Sequence, residues 1–317
     1  MSAAGGEFPV RVRRRTMAAD AVVLLELESP DGRPLPGWSP GAHIDVVLTD
    51  GREAQYSLCA NPNDRSWWRI GVLKEGGVSA ALHDEVAEGD TLLVRGPRNH
   101  FSFAPFPGRK YVFVAGGIGI TPIYAMLRAA AAAGNETRLV YAGRSRSAMA
   151  FAEELAADYA DRAEFFVADE GMRADVATLL ADPEPGTIVY CCGPRRLIEA
   201  VEAAGESWPR GSIHLERFEA KVLGEPIWNE PFDVELMLSG ETVTVPPERS
   251  ILEVVEEHGI LVPSSCRVGT CGTCEVAVVD GDIEHRDSVL SPEEQEDSFA
   301  MMICVSRARC PRITLEL

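Results

Sequence analysis

The chain has 317 residues, and its 49 acidic against 30 basic side chains give a formal net charge of −19. That length is enough for two or three domains with buried cores, and that charge argues against nucleic acid or an anionic membrane surface as a partner. The imbalance is concentrated at the end: from Glu225 to Leu317 there are 19 Asp and Glu against 6 Lys and Arg, an electrostatic unit of its own that suits a basic partner.

In chain order, arginines at 11, 13, 14 and 15 are not followed by an apolar run, so no signal peptide is readable. Residues 10–103 then alternate short apolar or alternating runs (21–27, 43–48, 69–73, 91–95) with turn residues such as Asp50-Gly51, Gly76-Gly77 and Gly96-Pro97. This is the period of closely spaced strands and predicts an antiparallel sandwich or barrel. After Pro105 and Pro107 a solid apolar strand (111–115) enters a glycine turn and an alanine-rich helix (122–133), with Thr121 as the expected N-cap and Gly134 as the stop. Strands at 137–142, 164–167 and 187–191 alternate with helices at 148–159, 174–180 and 195–203, which predicts a parallel sheet covered by helices. A linker at 223–231 carries Gly224, Pro226 and Pro231. Beyond it come strands at 232–238 and 242–245 and a helix over 251–258 with a capping box from Ser250 and Glu253. The longest uncharged run, 111–127, is broken by glycines and Pro122 and falls short of the roughly 20 apolar residues of a membrane span. A soluble cytoplasmic protein is expected.

Of eight cysteines, four form a pattern: Cys266, Cys271 and Cys274 are spaced C-x4-C-x2-C, and Cys304 stands later and alone. Too few for a secreted disulfide scaffold, they match the plant-type [2Fe–2S] ligand spacing. Four thiolates must converge on two irons, and Gly269 and Gly272 let the loop wrap the inorganic sulfides and offer amide donors. A four-cysteine zinc site is the alternative, but it normally shows two close-spaced pairs. Cys59 and Cys310 read as incidental.

Between strand and helix runs Gly116-Gly117-Ile118-Gly119-Ile120-Thr121-Pro122, where glycines would let a pyrophosphate approach backbone amides at a positive helix end. It is not the G-x-G-x-x-G fingerprint. A second loop, Cys192-Gly193-Pro194, follows a later strand, where ligands of such sheets sit. Arg144 and Arg146 follow the strand ending near 142, where an adenosine ribose or its phosphates would lie.

Barrel, Gly-Gly-Ile-Gly-Ile-Thr-Pro nucleotide domain, Cys-Gly-Pro loop and C-terminal plant-type ferredoxin follow one another in the order of the phthalate dioxygenase reductase family, which includes the vanillate O-demethylase reductases, and the chain resembles that family from about Val10 onward. The resemblance implies an antiparallel flavin-binding β-barrel (1–104), a parallel α/β NAD-binding domain of ferredoxin reductase type (105–224) and a β-grasp [2Fe–2S] domain (225–317). It implies FMN, NADH and one cluster, and a terminal Rieske-type non-haem iron oxygenase as partner. Carried over by position, Tyr56 and Ser57 line the isoalloxazine, with Ser57 near the hydride-accepting atom. Gly77 and Ser79 fall near the flavin phosphate, and Thr121 and Phe218 at the flavin's edge and the end of the nucleotide domain. Pro97-Arg98-Asn99-His100-Phe101 matches another stretch, expected to shape the flavin-domain interface. Ala54 and Gly76 stand where the family has arginines, so Lys74, Arg52 or backbone amides must hold the phosphate, or the flavin is FAD.

The implied route runs from NADH to flavin to [2Fe–2S] to the oxygenase, with flavin converting two-electron into one-electron chemistry. Two alternatives stand beside it: an FAD reductase serving a di-iron hydroxylase or a separate ferredoxin, and a zinc-stabilised nucleotide-binding regulator without redox chemistry.

Overall fold

The computed structural model describes residues 6–317; the first five residues of the stretch read for a signal peptide lie outside it. The chain separates into two compact units, residues 1–216 and 217–317.

The first unit opens with β1 (Phe8–Ala19), β2 (Val22–Glu28), β3 (His43–Val47), β4 (Glu53–Ser57), β5 (Trp67–Leu73), helix α1 (Gly77–Asp84) and β6 (Thr91–Arg98). The strands form one antiparallel sheet in the order β4-β3-β6-β1-β2-β5. A bridge between Leu58 and Ile70, and the Cys59 amide donating to the Arg69 carbonyl at 2.8 Å, join its two edges and close it into a barrel. Alternation sends one face inward: Val10, Val23, Leu25, Leu27, Ile44, Val46, Trp68, Ile70 and Val72 are buried together. Gly76-Gly77, expected as a plain turn, instead opens α1, because Gly76 and Gly77 both take positive φ (122° and 54°) and re-aim the chain into the helix.

The same unit continues with β7 (Lys110–Gly116), α2 (Ile120–Ala132), β8 (Glu136–Gly143), α3 (Ala152–Asp158), β9 (Ala163–Val167), α4 (Val176–Leu179), β10 (Thr187–Cys192), α5 (Arg195–Gly205) and β11 (Ile213–Glu216). The five strands are parallel, ordered β11-β10-β7-β8-β9. One face shares a core with the barrel, where Cys59, Phe101 and Phe103 pack with Tyr111, Phe113, Tyr124 and Tyr190. Val112, Val140, Val189, Ile198 and Val201 fill the other.

Three expectations need correction here. Thr121 is not the cap of α2: a 3-10 turn over Gly117–Gly119 winds directly into the helix, so Thr121 lies inside it and its hydroxyl donates to the Ile118 carbonyl at 2.9 Å. The helix expected at 148–159 is confined to α3, because Arg146–Ala148 form a 3-10 turn and Phe151 sits at φ 61° before the helix starts. Strand β11 was not expected at all, its four half-buried residues giving too short a pattern.

The second unit contains β12 (Phe232–Leu236), β13 (Glu241–Val245), α6 (Ile251–Glu257), β14 (Glu275–Asp280), β15 (Ile283–Glu284), α7 (Pro292–Asp297), β16 (Ala300–Met302), β17 (Arg307–Ala308) and β18 (Arg312–Leu315). Its main sheet runs β13-β12-β18-β14-β16, with β12 and β18 parallel and the other pairs antiparallel. α6 buries Ile251, Leu252, Val254 and Val255 in the core with Val234, Leu236 and Ile313, the packing of a β-grasp fold. Its capping box is as expected, with the Ser250 hydroxyl accepting from the Glu253 amide at 3.2 Å and the Glu253 carboxylate from the Ser250 amide at 2.8 Å.

Candidate functional site

In the second unit Cys266, Cys271 and Cys274 lie on the irregular segment between α6 and β14, and Cys304 follows β16. The Cys266 thiol interacts with that of Cys271 and the Cys274 thiol with that of Cys304, so the four fall into two pairs. The amides of Val268 and Thr270 donate to Cys266 Sγ at 3.5 and 3.4 Å, and that of Thr273 to Cys271 Sγ at 3.4 Å. Positive φ at Gly269 (75°) and Gly272 (72°) turns these amides toward sulfur. The Cys271 thiol and these donors lower Cys266 to about 5, while Cys271 is raised. Two thiol pairs suit two irons. The donor set therefore fits a [2Fe–2S] cluster.

In the first unit the carboxyl ends of the parallel strands bring the glycine turn and the Cys192-Gly193-Pro194 loop together. A Cβ on Gly119 would lie 2.3 Å from the Cys192 carbonyl oxygen, one on Gly116 2.6 Å from Pro194 Cδ, and one on Gly193 2.9 Å from the Gly116 amide nitrogen. These three glycines serve the contact between the loops. Gly117 alone of the four, with φ 53°, faces open space. The next loop carries Arg144, whose carbonyl accepts from the Asp169 amide at 3.0 Å, and Arg146, whose guanidinium is held by Glu170 at 2.6 and 2.9 Å.

On the barrel, Tyr56 and Ser57 end β4, with Ser57 buried and the Tyr56 hydroxyl buried without a partner, an orphaned polar atom that a polar ligand would satisfy. Gly71 on β5 gives room to Thr121, whose Cγ2 would lie 2.8 Å from a Cβ there, so β5 and the start of α2 meet closely. The suggested phosphate partners are engaged elsewhere: Lys74 pairs with Asp84 at 2.5 Å and Arg52 with Asp50 at 2.7 Å. The Ser79 hydroxyl accepts from the Glu75 and Gly76 amides and so closes the turn before α1. At the Gly76–Ser79 turn, backbone amides are what the chain offers an anion. Phe218 lies just past β11, in the stretch grouped with the second unit, and its ring is exposed.

The sequence reading missed several groups. Asp45 is one: its fully buried carboxylate accepts two bonds, at 2.6 and 2.5 Å, from Arg98 of the 97–101 stretch that the sequence did single out. His43, opposite both Ser57 and Arg98 in the sheet, has its Nε2 buried without a partner, and burial beside Arg98 lowers its pKa to about 4. Glu216 is opposite Cys192 across β10 and β11, its carboxylate 3.8 Å from Cys192 Sγ, and desolvation raises it to about 8. The signal for Glu216 was its place at a strand end, hidden because β11 itself was not recognised.

Residues 234–309 match the 2Fe-2S iron-sulfur cluster binding domain, and residues 113–203 the oxidoreductase NAD-binding domain. The chain is 40% identical over 318 residues to the phthalate 4,5-dioxygenase oxygenase reductase subunit of Pseudomonas putida, covering 97% of this chain and 96% of that protein. The solved phthalate dioxygenase reductase, described as a modular structure for electron transfer from pyridine nucleotides to [2Fe-2S], superposes with a TM-score of 0.69 at 35% identity over 98% of both chains. An intact type IV self-sufficient cytochrome P450 monooxygenase gives a TM-score of 0.92 at 43% identity over 98% of this chain, which spans only 41% of that larger protein. No helix among the described residues is long and apolar enough to cross a membrane. Likeness on this scale, over nearly the whole of both chains, makes the chain a member of the phthalate dioxygenase reductase family.

Proposed function

We propose that the chain is the NADH-dependent reductase component of an oxygenase system, delivering electrons to a terminal Rieske non-haem iron oxygenase from the cytoplasm. Four thiols in two pairs, in the same chain as an NAD-binding sheet and a flavin-type barrel, carry this reading. Bound FMN supplies the conversion of a hydride into single electrons, and the [2Fe–2S] cluster supplies one-electron transfer onward. Residues 1–104, 105–224 and 225–317 serve as the flavin, nucleotide and cluster modules of this route.

The chain's own groups do the placing. Gly117 leaves backbone exposed where a pyrophosphate would approach the start of α2, and the Cys192-Gly193-Pro194 loop, packed on Gly116 and Gly119, fixes the other wall. Ser57 and Tyr56 present the flavin-facing end of β4, with Gly77, Ser79, Thr121 and Phe218 as further flavin contacts. Arg144 reaches the adenosine end. Asp169 and Glu170 stand beside Arg144 and Arg146, and Glu170 already neutralises Arg146, which disfavours a 2′-phosphate and supports NADH. Cys266, Cys271, Cys274 and Cys304 would hold the cluster through their thiolates.

The test is a visible spectrum of the purified protein before and after anaerobic NADH, with iron, acid-labile sulfide and released flavin assayed on denaturation. A brown-yellow protein that bleaches with NADH and releases FMN is expected. A colourless zinc protein would overturn the function, and released FAD would overturn the flavin assignment.

A further inference from the structure

Behind the cysteine loop lies a buried polar group that the electron route itself does not use. Asp287 has no exposed surface, and neither has Ser306, two positions beyond Cys304. Asp287 Oδ2 accepts from the amides of Val289 and Leu290 at 3.0 and 2.8 Å, and its Oδ1 accepts from the Ser306 hydroxyl at 3.2 Å. Ser306 Oγ in turn accepts from the Arg286 amide at 3.1 Å. On its other side the Asp287 backbone is pressed against the loop: a Cβ on Gly269 would meet Asp287 Cα at 3.2 Å and Cβ at 3.4 Å, and the Ser288 amide donates to the Gly269 carbonyl at 2.8 Å. Gly269 stands between Cys266 and Cys271, the neighbour of both residues whose amides face the Cys266 sulfur. Asp287 thus sits where the three-cysteine loop and the Cys304 segment meet, bonded to one and packed on the other.

A buried carboxylate is costly unless paired or used. The basic side chains near Asp287 are His285, whose Nδ1 is 3.8 Å away, and Lys221. Glu275, which feels the Asp287 charge, adds to the negative side. Groups behind metal ligands orient them and tune the metal, and the potential of an iron–sulfur centre falls as nearby negative charge grows.

Resting on the [2Fe–2S] reading, we propose that Asp287 is the positioning residue of the cysteine loop, tying it to the Cys304 segment, and that its buried charge lowers the reduction potential of the bound cluster. Asn at 287 would keep the size and remove the charge. It would also leave the Ser306 hydroxyl hydrogen without its acceptor.

The test uses the full-length holoprotein. In Asp287→Asn, a redox titration followed by electron paramagnetic resonance is expected to place the cluster midpoint above that of the wild type with iron and sulfide content retained; an unchanged or lower midpoint overturns the charge role. Ser306→Ala keeps the charge and removes one tie, so it is expected to hold the wild-type midpoint yet lose iron to a chelator several-fold faster. Iron loss no faster than wild type overturns the positioning role. Loss of the cluster from Asp287→Asn in a protein that keeps its flavin upholds the tie. A wild-type protein lacking iron and sulfide would sink the cluster reading itself, a separate failure.

Discussion

At Gly119 two loops approach so closely that one methyl group decides whether they fit: a Cβ there would lie 2.3 Å from the Cys192 carbonyl oxygen and 2.7 Å from the Gly193 amide nitrogen. Backbone cannot give way as a side chain can, so Gly119→Ala should cost on the order of 1–3 kcal/mol. It should lower the melting temperature by several degrees and raise the NADH KM about tenfold. Gly117→Ala, in open space, meets only the backbone penalty of its positive φ, about 1 kcal/mol. Calorimetry and NADH titration of both variants check this, and a Gly119→Ala protein indistinguishable from wild type would refute it. His43 makes a pH prediction at the same scale. Its pKa is lowered to about 4 by burial, so between about 4 and 6.5 the unfolded chain binds a proton that the folded one refuses. Stability should therefore fall as pH drops through that window, by up to about 3 kcal/mol. His43→Gln, which cannot titrate, should flatten the curve of melting temperature against pH between 4 and 6.5; an identical slope in wild type and variant would count against it.

Elements of the first unit are held in register by Arg69 of β5. Its guanidinium donates to the Cys59 carbonyl at 3.0 and 2.7 Å, just past the end of β4, and lies over the rings of Tyr124 in α2 and Phe151 before α3, 5.1 and 5.0 Å from their centroids. Tyr124 and Phe151 stack at 4.5 Å, and Phe151 keeps a left-handed backbone to stay there. One side chain thus joins the strand bearing Tyr56 and Ser57 to the helix that follows the glycine turn. Arg69→Ala should lose about 2–3 kcal/mol from the cation–π and hydrogen bonds. It should slow flavin reduction by NADH more than it weakens NADH binding, measured by anaerobic stopped flow; Arg69→Lys, charged but unable to stack flat and bond twice, should fall between. Equal rates in all three proteins would show that the contact does not set the hydride geometry. Such contacts explain what the sequence could and could not reveal. Cys266, Cys271, Cys274 and Cys304 were legible because ligand spacing is local, and the alternation of β7 to β10 with helices was legible because it repeats. Arg69, Asp45, His43 and Asp287 were not, since their meaning lies in partners 10 to 82 positions away or across a sheet register. The glycines of 116–119 were legible as special, but which of them faces a ligand and which faces the Cys192 loop depends on how two loops pack.

For the molecule as a whole, charge is the property that separates its parts. The stretch from Glu225 onward, with 19 acidic against 6 basic residues, contains the 234–309 match to the 2Fe-2S iron-sulfur cluster binding domain, so the module that gives up electrons is the negative one. An acceptor with a positive docking face is drawn to it over distances comparable to the Debye length, about 10 Å at 0.1 M salt, and this attraction fades as salt shortens that length. Encounter rates steered in this way fall steeply with ionic strength, whereas steps inside the chain do not. With NADH saturating and cytochrome c as a basic one-electron acceptor, the second-order rate of reduction should drop about tenfold between 20 and 300 mM salt. Ferricyanide, a small anion repelled by the same surface, should react no more slowly in high salt and so reports that the internal route is intact. The terminal oxygenase should follow cytochrome c. A reduction rate for cytochrome c that stays flat across that range, with ferricyanide also flat, would mean that the acidic surface plays no part in handing electrons on.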